Sequence, residues 1–96
     1  MSSLHLIQAQ LSPTKLSILF NIQNEDTILL MQDGVYYVNN NMFITNIINN
    51  INIYVLEEDL LVRGLNNNII NNKIININYN KFVALTTKYS KIISWY

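Results

Sequence analysis

Four apolar residues, Ile28-Leu29-Leu30-Met31, run straight into Gln32-Asp33-Gly34 and then Val35. An apolar block of this length, closed by turn residues, predicts a strand over Thr27 to Gln32 that is covered on both faces. The turn predicts a helix start, with the Asp33 carboxylate accepting from free backbone N–H groups and Gly34 letting the chain turn tightly. Ile51 to Leu56 repeats the strand pattern. Ile51, Ile53 and Val55 alternate on one face, and Tyr54 and Leu56 fill the other. Leu4 to Ile7 and Ile74 to Ile77 are shorter apolar blocks of the same kind.

Between these blocks the apolar period becomes helical. Ser12-Pro13 supplies an N-cap and a first-turn proline, and Leu16, Leu19 and Phe20 continue a helix over 13–22. After the Gln32-Asp33-Gly34 turn, Val35, Tyr36 and Val38 fit a short helix. Phe43, Ile44, Ile47 and Ile48 form the buried stripe of a second piece that ends at Asn49-Asn50. In Glu57-Glu58-Asp59-Leu60-Leu61-Val62-Arg63-Gly64 the acids lie in the first turn, Arg63 in the last, and Gly64 stops the helix. Asp59 and Arg63 stand at i, i+4 and can pair. Tyr79 to Tyr89 predicts a last helix with Phe82, Val83 and Leu85 inward. Ile92, Ile93 and Trp95 form an apolar tail that is a candidate edge strand.

Strands thus alternate with helices. Right-handed crossovers turn that order into a three-layer α/β fold, a small, mostly parallel sheet of four strands (five with the tail) with helices on both faces. There is no internal repeat and no linker, so residues 1–96 are expected to form a single domain.

Composition then narrows the function classes. Half the residues are hydrophobic and 12% are charged, about half the charged fraction of an ordinary soluble domain. A surface so poor in charge suggests cover by a partner. The formal net charge is zero, which leaves no electrostatic footprint for nucleic acid, so direct nucleic-acid binding is not expected. Lys73, Lys81, Lys88 and Lys91 lean the C-terminal third basic, as a solvated face would. With no cysteine, the chain has no disulfide, no thiolate metal site and no cysteine-borne sulfur or redox chemistry. No apolar run approaches the ~20 residues that span a bilayer, and Met1-Ser2-Ser3-Leu4-His5 has no basic leader, so a cytoplasmic location without a membrane is expected. Asn and Ile together make up about a third of the chain. Both have A/T-rich codons, and the tracts Asn39-Asn40-Asn41, Asn66-Asn67-Asn68 and Asn71-Asn72 read as drift in an AT-biased genome. The Ile-rich segments between them would aggregate if exposed.

The candidate chemistry is sparse. In open α/β sheets function tends to sit at the carboxyl ends of strands. The turn there offers Asp33 but no nucleophile, base or phosphate-binding glycine pattern. His5 is the sole histidine and has no second ligand at metal spacing. The helix dipole accounts for Glu57-Glu58-Asp59. Tyr36, Tyr37, Tyr54, Tyr79, Tyr89, Trp95 and Tyr96 lack the interleaved basic residues of a stacking surface and fit core or interface packing. No catalytic residue, cofactor or metal is assigned. His5, Asp33, Gly34, Val35, Arg63, Gly64 and Trp95 are expected to be structural or interface residues. Two other readings are a small stand-alone enzyme or ligand-binding domain using Asp33 and His5, and a regulatory interaction module in the same fold.

One further pattern spans nearly the whole chain. It comprises Leu4-His5, Ser12-Pro13, Leu29-Leu30-x-Gln32-Asp33-Gly34-Val35, Tyr54-Val55-Leu56-x-Glu58-Asp59-Leu60-x-x-Arg63-Gly64, Phe82-Val83-x-Leu85-Thr86 and the near-terminal Trp95. In order and spacing this set resembles the TusB/DsrH family, departing most over residues 65–78. The resemblance implies the DsrE/DsrF/DsrH-like fold and a place in the bacterial tRNA 2-thiouridine sulfur relay. There the chain would join TusC-like and TusD-like subunits in a heterohexamer, a dimer of heterotrimers. That complex would take persulfide sulfur from a TusA-like donor and pass it to a TusE-like acceptor. The transfer cysteine would lie on the TusD-like subunit. Some family members carry a cysteine in the first helix. The Leu16–Phe20 region here has none, which implies a non-catalytic subunit.

Overall fold

The computed structural model describes residues 2–22, 25–47, 51–65 and 74–96. Ile48, the Asn49-Asn50 helix stop, Lys73 and the two C-terminal asparagine tracts lie outside the described residues. The apolar blocks form strands β1 (Ser3–Ile7), β2 (Thr27–Leu30), β3 (Asn52–Leu56) and β4 (Ile74–Ile77). The C-terminal tail is a fifth strand, β5 (Lys91–Trp95), at the sheet edge. The order is β4-β3-β2-β1-β5 and every pairing is parallel.

The helices are shorter than the apolar period suggests. α1 (Pro13–Leu19) starts as read, with Ser12 Oγ accepting from Lys15 N at 3.3 Å. It stops three residues early because Asn21 N and Ile22 N turn back to the carbonyls of Ile18 and Leu19, the tight i→i+3 closure of a last turn. A 3-10 helix (Gln32–Asn39) and α2 (Asn41–Ile47) follow β2, and α3 (Glu57–Val62) follows β3 directly. α4 (Tyr79–Thr86) ends before Tyr89, where the Thr86 and Thr87 hydroxyls donate to the carbonyls of Val83 and Ala84. Only Leu85 of α4 is fully buried, Phe82 packs beside it, and Val83 faces outward. That corrects its expected inward position. Phe82 and Leu85, three residues apart, lie on one helical stripe, and Val83 lies about 100° around from Phe82.

Strand order explains the two layers. β1 to β4 step in one direction, so α1, the 3-10 helix with α2, and α3 all cross the same face. Their side chains (Leu19, Val35, Tyr37, Val38, Phe43, Ile44, Leu60) build the larger core on Ile7, Ile28, Leu30, Ile53 and Val55. The step from β4 back to β5 runs the opposite way, so among the described residues α4 alone crosses the other face. It packs on Leu4, Leu6, Leu29 and Ile77, with Tyr54 and Tyr89 beside them. A single helix does not cover five strands. Ile75 of β4 lies opposite Tyr54, Ile92 of β5 lies opposite Leu4, and both remain 45% exposed at the two ends of that face.

Candidate functional site

Because all strands are parallel, their carboxyl ends share one edge of the sheet. The Gln32-Asp33-Gly34 turn lies there. Met31 N donates to the Ile7 carbonyl at 3.0 Å, which ties the exit of β2 to the end of β1. Gln32 then takes φ +50°, a left-handed conformation uncommon for a residue with a side chain. Gly34 is buried against β1, and a Cβ there would stand 1.9 Å from the Ile7 carbonyl oxygen. Glycine is required here by close approach of two backbones, not by a positive φ. Val35 follows and is fully buried in the larger core.

Asp33 is not the cap of this helix. The 3-10 helix begins one residue earlier, with Met31 as N-cap and no side-chain capping bond of its own. The carboxylate that serves its first N–H comes from α3, where Asp59 Oδ2 accepts from Gln32 N at 2.6 Å. Asp33 Oδ1 instead accepts from Arg63 Nε at 2.9 Å. The expected Asp59–Arg63 pair is present but longer, at 3.8 Å, and Arg63 also donates to the Asp59 carbonyl at 3.2 Å. Gly64 ends the segment at φ +67°. Next to Asp59, Glu58 Oε2 accepts from Tyr79 N at the start of α4, 3.1 Å away. The acidic run therefore does more than oppose its own helix dipole, because two of its carboxylates cap the starts of two other helices. Among the described residues, no three His, Asp or Glu side chains converge to hold a metal ion.

His5 and Trp95 form a second, separate network. His5 is mid-strand in β1, its neighbour across the ladder in β5 is Ile93, and it is 3% exposed. Trp95 Nε1 donates to His5 Nδ1 at 2.9 Å. An indole nitrogen can only donate, so Nδ1 is bare and the ring proton sits on Nε2. That proton is directed to Asp26 Oδ2 at 2.9 Å. Asp26, just before β2, also accepts from Ser3 N at 2.9 Å. Elsewhere in the larger core, Tyr37 Oη accepts from Leu11 N at 2.6 Å while its ring stacks on Phe43 at 4.1 Å between centroids. Among the described residues no buried side-chain nitrogen or oxygen lacks a hydrogen bond.

Of the residues singled out in the sequence, Asp33, Gly34, Val35, Arg63 and Gly64 gather at the strand-end turn, and His5 and Trp95 meet each other. Asp33 and His5 do not share a network, and both ring nitrogens of His5 are already engaged. Asp26 is the member sequence reasoning missed. A histidine placed mid-strand among apolar residues needs a polar partner, and the carboxylate leading into the neighbouring strand was the available signal.

Comparison with known proteins agrees with this fold. Residues 12–92 match the DsrH family, described as DsrH like protein. A relative named Protein TusB from Buchnera aphidicola is 35% identical over 95 residues, 96% of this chain and 99% of that one. Protein TusB from Escherichia coli is 39% identical over the same shares of both chains. Among solved structures, the crystal structure of the ychN protein from Escherichia coli superposes with a TM-score of 0.76 at 10% identity, over 99% of this chain and all of the other. The solution structure of protein Tm0979 from Thermotoga maritima gives 0.66 at 22% identity, over 92% and 93%. At such identities these two speak for the fold alone. The sequence matches reach further, and the chain belongs to the DsrH family.

Proposed function

We propose that this protein is a non-catalytic subunit of a TusBCD-like sulfur-relay complex that supports 2-thiolation of the wobble uridine in tRNA. The observation that carries the reading is the match to proteins named TusB along almost the entire chain, in a sequence without a single cysteine. A persulfide relay needs a thiolate at each covalent stop. A chain with none positions its partners, and the transfer cysteine belongs to a TusD-like neighbour. The strand-end turn suits that role, since it is held by capping bonds and an ion pair and carries no nucleophile. The thinly covered sheet face and the outward Leu61, Val62, Tyr79 and Val83 supply apolar surface for TusC-like and TusD-like subunits in a dimer of heterotrimers.

Two measurements test this. Affinity capture from the native cell should recover two partners of similar fold in fixed ratio, and deletion of the protein should lower wobble-uridine 2-thiolation in tRNA hydrolysates. Unchanged 2-thiolation after deletion would remove the relay assignment. Capture of partners unconnected with sulfur would favour a regulatory module in the same fold.

A further inference from the structure

We propose that proton uptake by His5 unlatches the C-terminal end of β5 from the sheet, which makes the edge next to β1 pH-sensitive. In the folded chain Nδ1 of His5 is the acceptor for the Trp95 indole N–H. A proton arriving from solvent at Nδ1 would place N–H against N–H, and that bond cannot exist in the imidazolium form. On the other side of the ring Asp26 Oδ2 remains, and a carboxylate holds an imidazolium more strongly than a neutral ring. The charged ring therefore stays seated on Asp26 while Trp95 loses its partner. Latching and proton uptake exclude each other, so acid favours the unlatched form.

Besides the Trp95–His5 bond, this strand end is held by its ladder with β1, at Leu6–Ser94 and Ile7–Trp95, by packing of the Trp95 ring on the larger core, and by two bonds from outside the ladder. Gln8 N donates to the Trp95 carbonyl at 2.9 Å, and Lys15 Nζ of α1 donates to the carbonyl of Tyr96. β5 is an edge strand, and its residues are half-buried or exposed throughout. Among the described residues, the groups bonded to the ring are Asp26 from the segment before β2 and the neutral indole from β5. Lys91 begins β5 opposite Ser3, two ladder positions from His5, and is exposed. Among the described residues Asp26 is the one carboxylate paired with the ring. Its remaining oxygen accepts from Ser3 N in β1, so the anion stays anchored when Trp95 departs.

The test is direct because the chain has one histidine and one tryptophan. The full-length protein, free of any histidine tag, is followed by nitrogen-15 NMR between about pH 8 and 5, the range in which histidine changes charge. At the upper end the imidazole should be the Nε2–H form with a bare Nδ1. On acidification, proton uptake at Nδ1 should coincide with a shift of the indole N–H signal. The Gln8 amide protection factor should fall about fivefold, the loss of roughly one hydrogen bond, while far-ultraviolet circular dichroism is retained. In Trp95→Phe, His5 should still take up its proton but Gln8 protection should no longer depend on pH. In His5→Gln the indole signal should be insensitive to pH. The proposal is overturned if His5 protonates with the indole and Gln8 signals unmoved. It is equally overturned if His5 takes up no proton before the fold melts, or if Trp95→Phe keeps the wild-type pH response.

Discussion

The two glycines of this chain are needed for different physical reasons, and substitution separates them. At Gly34 an added methyl meets the carbonyl oxygen of Ile7 at 1.9 Å and its carbon at 2.6 Å, both backbone atoms in a strand held on two sides. Neither can move without prying the 3-10 helix from β1. Gly34→Ala should therefore cost about 3 kcal/mol or more in urea unfolding. At Gly64 nothing lies within 4 Å of the added methyl, and the only penalty is φ +67°. Gly64→Ala should cost about 1 kcal/mol, the price of a left-handed alanine. Equal losses at the two sites would mean that Gly34 is not pressed against β1. The aspartates of the turn divide in a similar way. Asp33 has a 66% exposed side chain in its pair with Arg63, so Asp33→Ala should change stability by no more than about 0.5 kcal/mol. Asp59 caps the 3-10 helix across the turn, and Asp59→Ala should cost about 1 kcal/mol. The reverse ranking would restore Asp33 as the cap.

At the scale of elements, what could be read from the sequence depended on how local the cause was. β2 was legible because a strand covered on both faces is a run of apolar residues, and β3 and β4 because their apolar residues form short blocks closed by turn and asparagine residues. The start of α1 was legible because Ser12 and Pro13 act within one turn. Helix ends were not, since hydroxyl and amide side chains of Asn21, Thr86 and Thr87 close them by bonds that the apolar period ignores. The Asp33 cap failed for a related reason. Its logic was sound for an isolated turn, but Asp59 reaches the free N–H from 27 positions away, and Gln32 bends left-handed to present it. The partnering of His5 with Asp26 and Trp95 spans 21 and 90 positions. Only the strand order β2-β1-β5 puts those three side chains together, and no local pattern encodes that order. The fold class and the position of the turn were therefore readable, whereas the wiring of the turn and of the His5 network was not.

For the molecule as a whole, the decisive quantities are the scarcity of charge and the uneven covering of the sheet. Twelve per cent charged residues and zero net charge leave little repulsion between copies. Among the described residues, one face of the sheet carries α1, α2, α3 and the 3-10 helix, while the other has α4 alone, with Ile75 and Ile92 open at its ends. Val62, 81% exposed, adds a further apolar side chain at the end of α3. A protein that works alone would pay for such a surface in solubility, whereas a subunit buries it on assembly. Expressed by itself, the chain should therefore self-associate at tens of micromolar, visible as a sedimentation coefficient that rises with concentration. Co-expressed with its TusC-like and TusD-like partners, it should sediment as one species of fixed stoichiometry, with a higher melting temperature because binding to the native state alone stabilises it. A monodisperse monomer at every concentration, unchanged in melting temperature by those partners, would show that the exposed apolar residues are ordinary surface. The subunit reading would then rest on sequence kinship without a surface to support it.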